Sequence, residues 1–424
     1  MAAPRIGRRE LAVLGPAAGA ALFAGDARRR PPAHVPLFSA TVAMTGDGQR
    51  SLIAPGSAPL PAHSRILPPT SDDAPALVSE RELVAAARMV GASLDADRQE
   101  LLTSAVLDLH VLSYGLPAPI AGWSHNWRYV WPRDAAHVAV AFARLGLVER
   151  AAGIVRALAR LCGADGWLQA RYRPGSQDQP DDRERQLDGT GWYLWALEEV
   201  SQVVPGLAGE RAVADAASRS ARLLLTLTQG RDHMPPPSPD YWEVRESHLT
   251  IATAALVLVG LERAADLALP ESGRAAERAE ALRAGIIREF GPSGYGRYAG
   301  RAPADAGLLF LLPPYTRTAV GAAAARVGTA QQHMRREAGG VAPGEGWKRD
   351  GISWTPETAL FAQAHRELGN DAAADVLLDW LAAHRTDAGS LPEKVLADGA
   401  PAAVAPLAWT AALTVTSLVP RRRR

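Results

Sequence analysis

The chain has 424 residues, of which 47% are hydrophobic and 21% are charged, enough for one or two domains with a large buried core. Its 46 basic and 45 acidic residues leave a net charge of +1, which provides no broad field for attracting nucleic acid or an anionic membrane surface. The single cysteine, Cys162, excludes an internal disulfide and a thiolate metal cluster. No segment is apolar for the roughly 20 residues that a membrane-spanning helix needs.

The two ends of the chain differ in composition from the middle. Within residues 1–30, a pair of arginines precedes the stretch LAVLGPAAGAALFAG, which resembles a twin-arginine export signal but has no small-x-small cleavage site. A disordered arm is the alternative, so export and a cytoplasmic location both stay open. Residues 31–78 are rich in Pro, Ser and Gly and predict a linker or a small β-segment. Residues 421–424 form a basic tail.

A helical period dominates residues 79–420 and predicts one all-α domain. Ser79 and Glu82, three positions apart before an apolar run, predict a capping box at the first helix. The predicted helices cover residues 79–91, 97–113, 133–145, 148–161, 188–203, 210–228, 248–266, 271–289, 304–312, 316–337, 354–369, 371–385 and 405–418.

The connections between these helices alternate between long and short. A long loop with Gly, Pro, Trp and charged residues precedes each of six helices, and a short joint follows each of them. If those six helices line a ring and six others surround it, every long loop emerges at one face. The pattern therefore predicts an (α/α)6 toroid. A plain helical solenoid is the alternative, but no fixed sequence repeat supports it.

The six long loops carry aromatic and ionisable residues to the predicted rim. Because function tends to reside on loops held by a rigid scaffold, this rim is the candidate site. In loop order the residues are Trp127, Trp131, Arg133 and Asp134; Arg185, Gln186 and Asp188; Tyr241, Trp242, Glu243 and Arg245; Tyr295 and Tyr298; Trp347, Lys348, Arg349 and Asp350; and Glu393.

Tryptophans and charged groups in this combination are typical of a sugar site. A pyranose has an apolar C–H face for aromatic rings, and its hydroxyls pair with carboxylate, Arg or Gln groups. Trp123, Trp127 and Trp131 could instead share one buried helical face, since they are four apart. Gly122 and Pro132 flank them and favour a loop.

Hydrolysis of a glycosidic bond needs two carboxyl groups, one as acid and one as base or nucleophile. Glu243 and Glu393 are the predicted pair, on the third and sixth loops and so on opposite sides of the ring. That placement favours the wider separation, on the order of 6.5–9.5 Å, which leaves room for a water and inverts the anomeric centre. Glu246 is the main rival for the acid role.

Four segments in order resemble the glucoamylase and glucodextranase type of glycoside hydrolase family 15: WRYVWPRDAAHVAVAFARLG, QLDGTGWYLWAL, YWEVRESHLTIATAALVLVGLERAA and LPEKV. The resemblance implies that Glu243 is the general acid and Glu393 the general base of an inverting, exo-acting α-glucosidase. It also implies the remaining substrate-binding set: Arg133 and Asp134 on the outer hydroxyls, Trp127, Trp131 and Trp242 lining the pocket, and Gln186 and Asp188 close by. Arg245 and Trp347 complete the predicted set from the third and fifth loops.

Several functional alternatives stay open. The linkage could be α-1,4, α-1,6 or that of trehalose, because the fifth loop is basic where relatives are aromatic-rich. A non-catalytic carbohydrate-binding toroid would keep the rim without the chemistry. A polysaccharide lyase would need a base such as Tyr295 or His125. The expected partner is an α-glucoside, with no nucleic acid; the oligomeric state stays open.

No cofactor or metal is expected. His125, His137 and His248 lack a shared metal-ligand spacing, and no Gly-rich phosphate loop follows a strand. Residues 181–184 contain an acidic cluster, interpreted as solvated, with calcium binding as the alternative.

Overall fold

The structure, a computed structural model, describes residues 34–57, 63–300, 303–419 and 421. The predicted export signal or arm therefore lies outside the described residues. Twelve α-helices lie in the described part: α1 Pro75–Val90, α2 Ala96–Ser113, α3 Pro132–Arg144, α4 Val148–Leu161, α5 Asp188–Ser201, α6 Arg211–Leu227, α7 Ile251–Asp266, α8 Ser272–Phe290, α9 Ala323–Met334, α10 Thr355–Glu367, α11 Asp371–Ala383 and α12 Ala408–Leu418.

Six elements close into an inner ring. In order around it, α3, α5, α7, the 3-10 helix Ala306–Leu311, α10 and α12 each contact the next, and α12 contacts α3 again. Helices α2, α4, α6, α8, α9 and α11 pack against the ring from outside, and α1 packs on α2. The predicted (α/α)6 toroid is confirmed.

Burial separates the inner from the outer helices. All eleven residues of α12 are buried, whereas only seven of the fourteen residues of α4 are buried. The inner helices accordingly consist mainly of Ala, Val, Leu, Thr and aromatic residues. Each fully buried Leu, Val or Phe contributes about 1.5–3 kcal/mol relative to an exposed one, so the ring is the stable frame on which the loops are held.

The fourth inner element differs from the prediction. Residues 304–312 were expected to be an α-helix, but Ala306–Leu311 form a 3-10 helix whose first turn is capped by the Asp305 carboxylate, 2.8 Å from the amide of Gly307. A Cβ at Gly307 would lie 2.7 Å from the Cβ of Ala252 on α7, so the segment lies very close to its neighbour. The following outer helix is also shorter than the predicted 316–337.

The predicted capping box is wrong. Helix α1 begins at Pro75, whose fixed φ suits the first helical turn, so Ser79 lies inside the helix rather than before it. The Ser79 hydroxyl instead accepts a hydrogen bond of 2.9 Å from Arg150 on α4.

Two small sheets connect distant parts of the chain. Strands β1 (Thr41–Met44) and β2 (Arg50–Ile53) form an antiparallel hairpin against α2, and Thr41 hydrogen-bonds Ser390 in the sixth loop at 2.6 Å. Strands β3 (Ser353–Trp354), β4 (Lys394–Val395) and β5 (Pro401–Ala402) join the fifth and sixth loops. Among the described helices, none is both long and apolar enough to cross a bilayer.

Candidate active site

The first loop is irregular, as the flanking Gly122 and Pro132 predicted. Residues 121–131 contain a single 3-10 turn, His125–Trp127, so Trp127 and Trp131 do not share a helical face. Trp131 is buried directly before Pro132. The indole Nε1 of Trp127 points to the neighbouring sixth loop and donates a hydrogen bond of 3.1 Å to Glu393.

Glu393 is held at its backbone and at both carboxylate oxygens. Its amide donates to Val404 at 2.8 Å, and its carbonyl accepts from the amide of Thr355 at 3.0 Å. Its Oε1 accepts from Trp127, and its Oε2 lies 3.1 Å from the ammonium of Lys394. The residue is only 8% exposed, so the carboxylate and the ammonium form a largely buried ion pair. Such a carboxylate can accept a proton from water.

Glu243 projects from a tight turn. Its amide donates to the carbonyl of Asp240 at 2.7 Å, and its φ of 55° lies in the left-handed region that non-glycine residues seldom adopt. One carboxylate oxygen accepts from Arg183 Nη1 at 2.5 Å, and the other lies 3.8 Å from Arg133 Nη2. The turn thus aims a carboxyl group, with 26% of its side chain exposed, at two guanidinium groups.

A buried arginine supports the third loop. Arg297 forms ion pairs with Asp240 at 3.1 Å, Asp305 at 2.8 Å and Glu246 at 2.6 Å, and its guanidinium lies 3.5 Å from the ring centre of Trp242. Because the arginine contacts residues on both sides of Glu243, it fixes the turn from which Glu243 projects. Glu246, the other candidate for the general acid, belongs to this buried network through its ion pair with Arg297.

The space between the six long loops is called the pit, and Arg133, in the first turn of α3, is at the centre of its floor. Its guanidinium stacks 4.4 Å from the ring centre of Trp409 and lies 3.1 Å from the carboxylate of Asp134. Asp134 and Asp188 are 1% and 5% exposed, in the first turns of α3 and α5. Within the described residues, Arg133 Nε and Nη1 and Asp134 Oδ1 have no hydrogen-bond partner. These are the atoms that could bind sugar hydroxyls.

Burial changes the protonation of the floor carboxyls. It raises the pKa of Asp134 to about 6 and that of Asp188 to about 7. Arg133 opposes both shifts, while Glu243 adds to the first and Asp240 to the second. Near neutral pH, Asp188 is therefore partly protonated and can donate as well as accept a hydrogen bond.

Three tryptophans form one wall of the pit. The rings of Trp242 and Trp347 lie 4.8 Å apart, and those of Trp347 and Trp354 lie 5.7 Å apart, both edge to face. All three indole Nε1 atoms are buried and, in the part of the chain that the structure describes, have no hydrogen-bond partner. The wall thus offers N–H donors together with apolar ring surface.

Not every predicted residue joins this cluster. Arg245 is 89% exposed and pairs with Glu184 at 3.4 Å, so the structure does not bring it to the floor or the wall. Gln186 is buried two residues before Asp188. Asp181, in the acidic cluster of the second loop, lies between the guanidinium groups of Arg171 and Arg183 rather than in free solvent.

Within the described residues, neither base considered for a lyase, Tyr295 or His125, hydrogen-bonds a residue of the floor or of the tryptophan wall. The hydroxyl of Tyr295 accepts a hydrogen bond of 3.2 Å from the amide of Ala322, just before outer helix α9, and Tyr295 is 3% exposed. His125 is exposed on the 3-10 turn of the first loop. A cavity of about 1220 Å³ does lie at the opposite end of the ring, but Arg144, Glu199 and Arg421 line it rather than any of the pit residues.

Sequence reasoning missed four residues of the site: Trp409, Arg183, Lys394 and Arg297. Only Lys394 had a visible signal, because it is adjacent to the predicted base. Trp409, Arg183 and Arg297 reach the site through tertiary contacts that no local spacing reveals.

Comparison with protein-family models found no match, and neither did comparison with the sequences of curated proteins. Comparison with solved structures did find similar chains. A glycosidase variant in complex with glucose has a TM-score of 0.63 at 18% identity, covering 81% of this chain and 99% of that one. A bacterial glucoamylase complexed with acarbose has a TM-score of 0.61 at 17% identity, covering 78% of this chain and 56% of that one.

A metal-independent α-mannosidase from Streptococcus pneumoniae is also similar, with a TM-score of 0.58 at 14% identity, covering 80% of this chain and 96% of that one. The fold is the toroid of the glucoamylase-like glycosidases. At these identities the likeness establishes the architecture, and the chemistry has to be argued from the residues themselves.

Proposed function

We propose that the protein is a glycoside hydrolase, and specifically an inverting, exo-acting α-glucosidase. The observation that carries the proposal is the position of Glu243 and Glu393 on the third and sixth long loops at one end of the ring, with Arg133 3.8 Å from the Glu243 carboxylate and stacked on Trp409. The loops precede α7 and α12, which are three places apart in the six-membered ring.

Glu243 is the proposed general acid. In the reaction its carboxyl gives a proton to the glycosidic oxygen as the bond to the anomeric carbon breaks. Its contact with Arg183 Nη1, at 2.5 Å, has to be exchanged for the substrate oxygen before this can happen. Arg133 stays in the floor, where it and Asp134 orient the sugar by its hydroxyls.

Glu393 is the proposed general base. It takes a proton from a water molecule that attacks the anomeric carbon from the face opposite the leaving group, which inverts the configuration. Trp127 and Lys394 orient the carboxylate, so that little reorganisation is needed during the reaction. Afterwards Glu393 holds a proton and Glu243 has lost one, and exchange with solvent restores both.

The pit supports an exo-acting mode. Its floor holds buried polar atoms of Arg133 and Asp134 that have no hydrogen-bond partner in the described residues, and these would bind the hydroxyls of a chain end, while the tryptophan wall would stack against the sugar ring. Maltose, isomaltose, trehalose and soluble starch together cover the linkages that the sequence leaves open, including the trehalase alternative.

The test is release of glucose from this panel by the wild-type protein, Glu243→Gln and Glu393→Gln. Each substitution removes a proton-transfer partner and is expected to lower turnover by about 10²–10⁴-fold or more. Glu345→Gln is the matched control, since Glu345 lies on the fifth loop with 43% of its side chain exposed. Sugar binding without turnover by the wild-type protein would instead favour the non-catalytic toroid.

A further inference from the structure

The first turn of α10 repeats the arrangement found at the first turn of α3. In α3, Trp131 precedes the helix, a proline occupies its first turn, and Asp134 is its third residue. In α10, Trp354 precedes the helix, a proline again occupies the first turn, and Glu357 is the third residue. Because the inner helices begin at the same end of the ring, carboxyls in their first turns converge on the pit.

Glu357 faces the axis of the ring. It is 2% exposed, and the charged and titratable groups that act on it lie on four separate elements: Arg133 at the start of α3, Glu393 on the sixth loop, Asp305 before the 3-10 helix and Tyr241 on the third loop. These elements surround the pit. A side chain directed outward to α11 would not lie near all four.

The backbone places Glu357 beside the proposed base. The amide of Thr355, two residues earlier, donates to the carbonyl of Glu393 at 3.0 Å, and the Thr355 hydroxyl donates to the carbonyl of Pro392 at 2.5 Å. The start of α10 is thus fixed to the segment that carries Glu393.

One oxygen of Glu357 lacks a partner. Within the described residues, its Oε2 is buried without a hydrogen bond. Burial raises the pKa of Glu357 to about 8, with Glu393 and Asp305 adding to the shift and Arg133 opposing it. The carboxyl is therefore mostly neutral near pH 7 and can both donate and accept a hydrogen bond. A buried polar group without a partner destabilises a fold, so its presence here points to a ligand that completes it.

We propose that Glu357 is a substrate-binding residue of the pit, where its carboxyl hydrogen-bonds one hydroxyl of the sugar ring beside Glu393. This inference rests on the proposed function, because it requires a sugar in the pit. It makes Glu357 a determinant of specificity, since a site that hydrogen-bonds a hydroxyl rejects the analogue that lacks it.

The test pairs a side-chain deletion with a hydroxyl deletion. Wild type, Glu357→Leu and Glu357→Gln are assayed on 4-nitrophenyl α-glucoside and on its four monodeoxy counterparts, and the Tm of each protein is measured near neutral pH. Leu has a similar volume without hydrogen bonds, whereas Gln imitates the neutral carboxyl. Glu345→Gln again serves as the control.

We expect Glu357→Leu to lower kcat/KM about 100-fold or more, Glu357→Gln to lower it less, and neither to lower the Tm. For one deoxy substrate, kcat/KM in the wild type should be about 100-fold lower than for the parent glucoside. In Glu357→Leu the same two substrates should differ by less than about threefold, because the two deletions remove the same contact. If all four deoxy penalties are equal in wild type and Glu357→Leu, the proposal is overturned. A fall in Tm together with activity in both variants would also overturn it, since Glu357 would then be a packing residue.

Calorimetry separates this proposal from the proposed function. Titration of glucose and its deoxy analogues into the wild type and Glu357→Leu measures the same contact without turnover. Binding that depends on Glu357 in a protein without hydrolysis would reject the proposed function and keep this one. If the protein hydrolyses glucosides and Glu357→Leu changes neither binding nor turnover, the proposed function is kept and the role of Glu357 is rejected.

Discussion

The indole Nε1 of Trp127 donates a hydrogen bond of 3.1 Å to Oε1 of Glu393, although the two residues are 266 positions apart in the chain. The bond connects the first loop to the sixth across the junction of α3 and α12. It fixes one carboxylate oxygen, while the ammonium of Lys394 lies against the other. The proposed base therefore depends on a residue that sequence analysis assigned only to the substrate pocket.

Trp127→Phe keeps an aromatic ring but removes this donor. We expect kcat/KM to fall by about 10–100-fold with little change in Tm, because a charge-assisted hydrogen bond to the base is lost. Trp123→Phe is the control in the same loop, since Trp123 stacks under Arg128 instead. Equal activity of the two variants would remove Trp127 from the account.

Arg133→Lys keeps the charge on the floor of the pit but loses the planar fork. Lysine cannot both stack on Trp409 and pair with Asp134 as the guanidinium does. The expected loss in kcat/KM is about 100-fold or more. Arg128→Lys, at an exposed position of the first loop, should have no such effect. If Arg133→Lys keeps the kcat/KM of the wild type, Arg133 does not recognise the sugar hydroxyls.

Glu246→Gln tests the rival acid. Both oxygens of Glu246 are engaged, one by Arg297 at 2.6 Å and one by the Tyr298 hydroxyl at 2.8 Å. We expect turnover within about tenfold of wild type but a free energy of unfolding lower by about 1–3 kcal/mol, because a buried ionic hydrogen bond is weakened. If Glu246→Gln abolishes turnover and Glu243→Gln retains it, then Glu246 is the general acid and Glu243 is not.

Stability is expected to fall as pH rises from 6.5 to 8.5. Glu357 and Asp188 have pKa values raised by burial to about 8 and about 7. In this window the folded state therefore binds more protons than the unfolded state, which gives a negative slope of unfolding free energy against pH, at most about 1.4 kcal/mol per pH unit for each group. Burial lowers the pKa of His110 and His137 to about 3, so their opposite contribution fades as the unfolded imidazoles lose their protons above about pH 6.5, and it is small in the upper part of this window.

Thermal unfolding of wild type and Glu357→Gln across these pH values checks the sign. The variant should lose less stability than wild type on going to pH 8.5, because Gln cannot ionise, whereas Glu345→Gln should follow the wild type. Identical slopes for all three proteins would show that Glu357 does not titrate in this range.

The ring could be predicted because its signal is local and repeated. Alternating long and short connections, together with helices made mostly of small and apolar residues, fix which helices line the ring. The fourth inner element was predicted with the wrong helix type because its geometry depends on close contact between Gly307 and Ala252 of α7, which lies outside the segment. The capping box at Ser79 was predicted wrongly because α1 begins four residues earlier, at Pro75.

The candidate site was predictable where side chains lie near a helix start. Arg133, Asp134 and Asp188 stand in first turns, and their sequence positions place them at the rim. Arg245, equally close to Glu243 in sequence, extends into solvent because the turn at positive φ redirects the chain. Arg297 and Trp409 act on the site from other loops, and only tertiary structure brings them there.

The most direct test of the account is the anomeric configuration of the first sugar released. Proton NMR of an early time course with an α-glucoside resolves the two anomers before mutarotation mixes them. Attack by a water held at Glu393, opposite the leaving group protonated by Glu243, predicts that β-glucose appears first. Initial α-glucose would contradict the account, because it would require a covalent intermediate or a different pair of carboxyl groups.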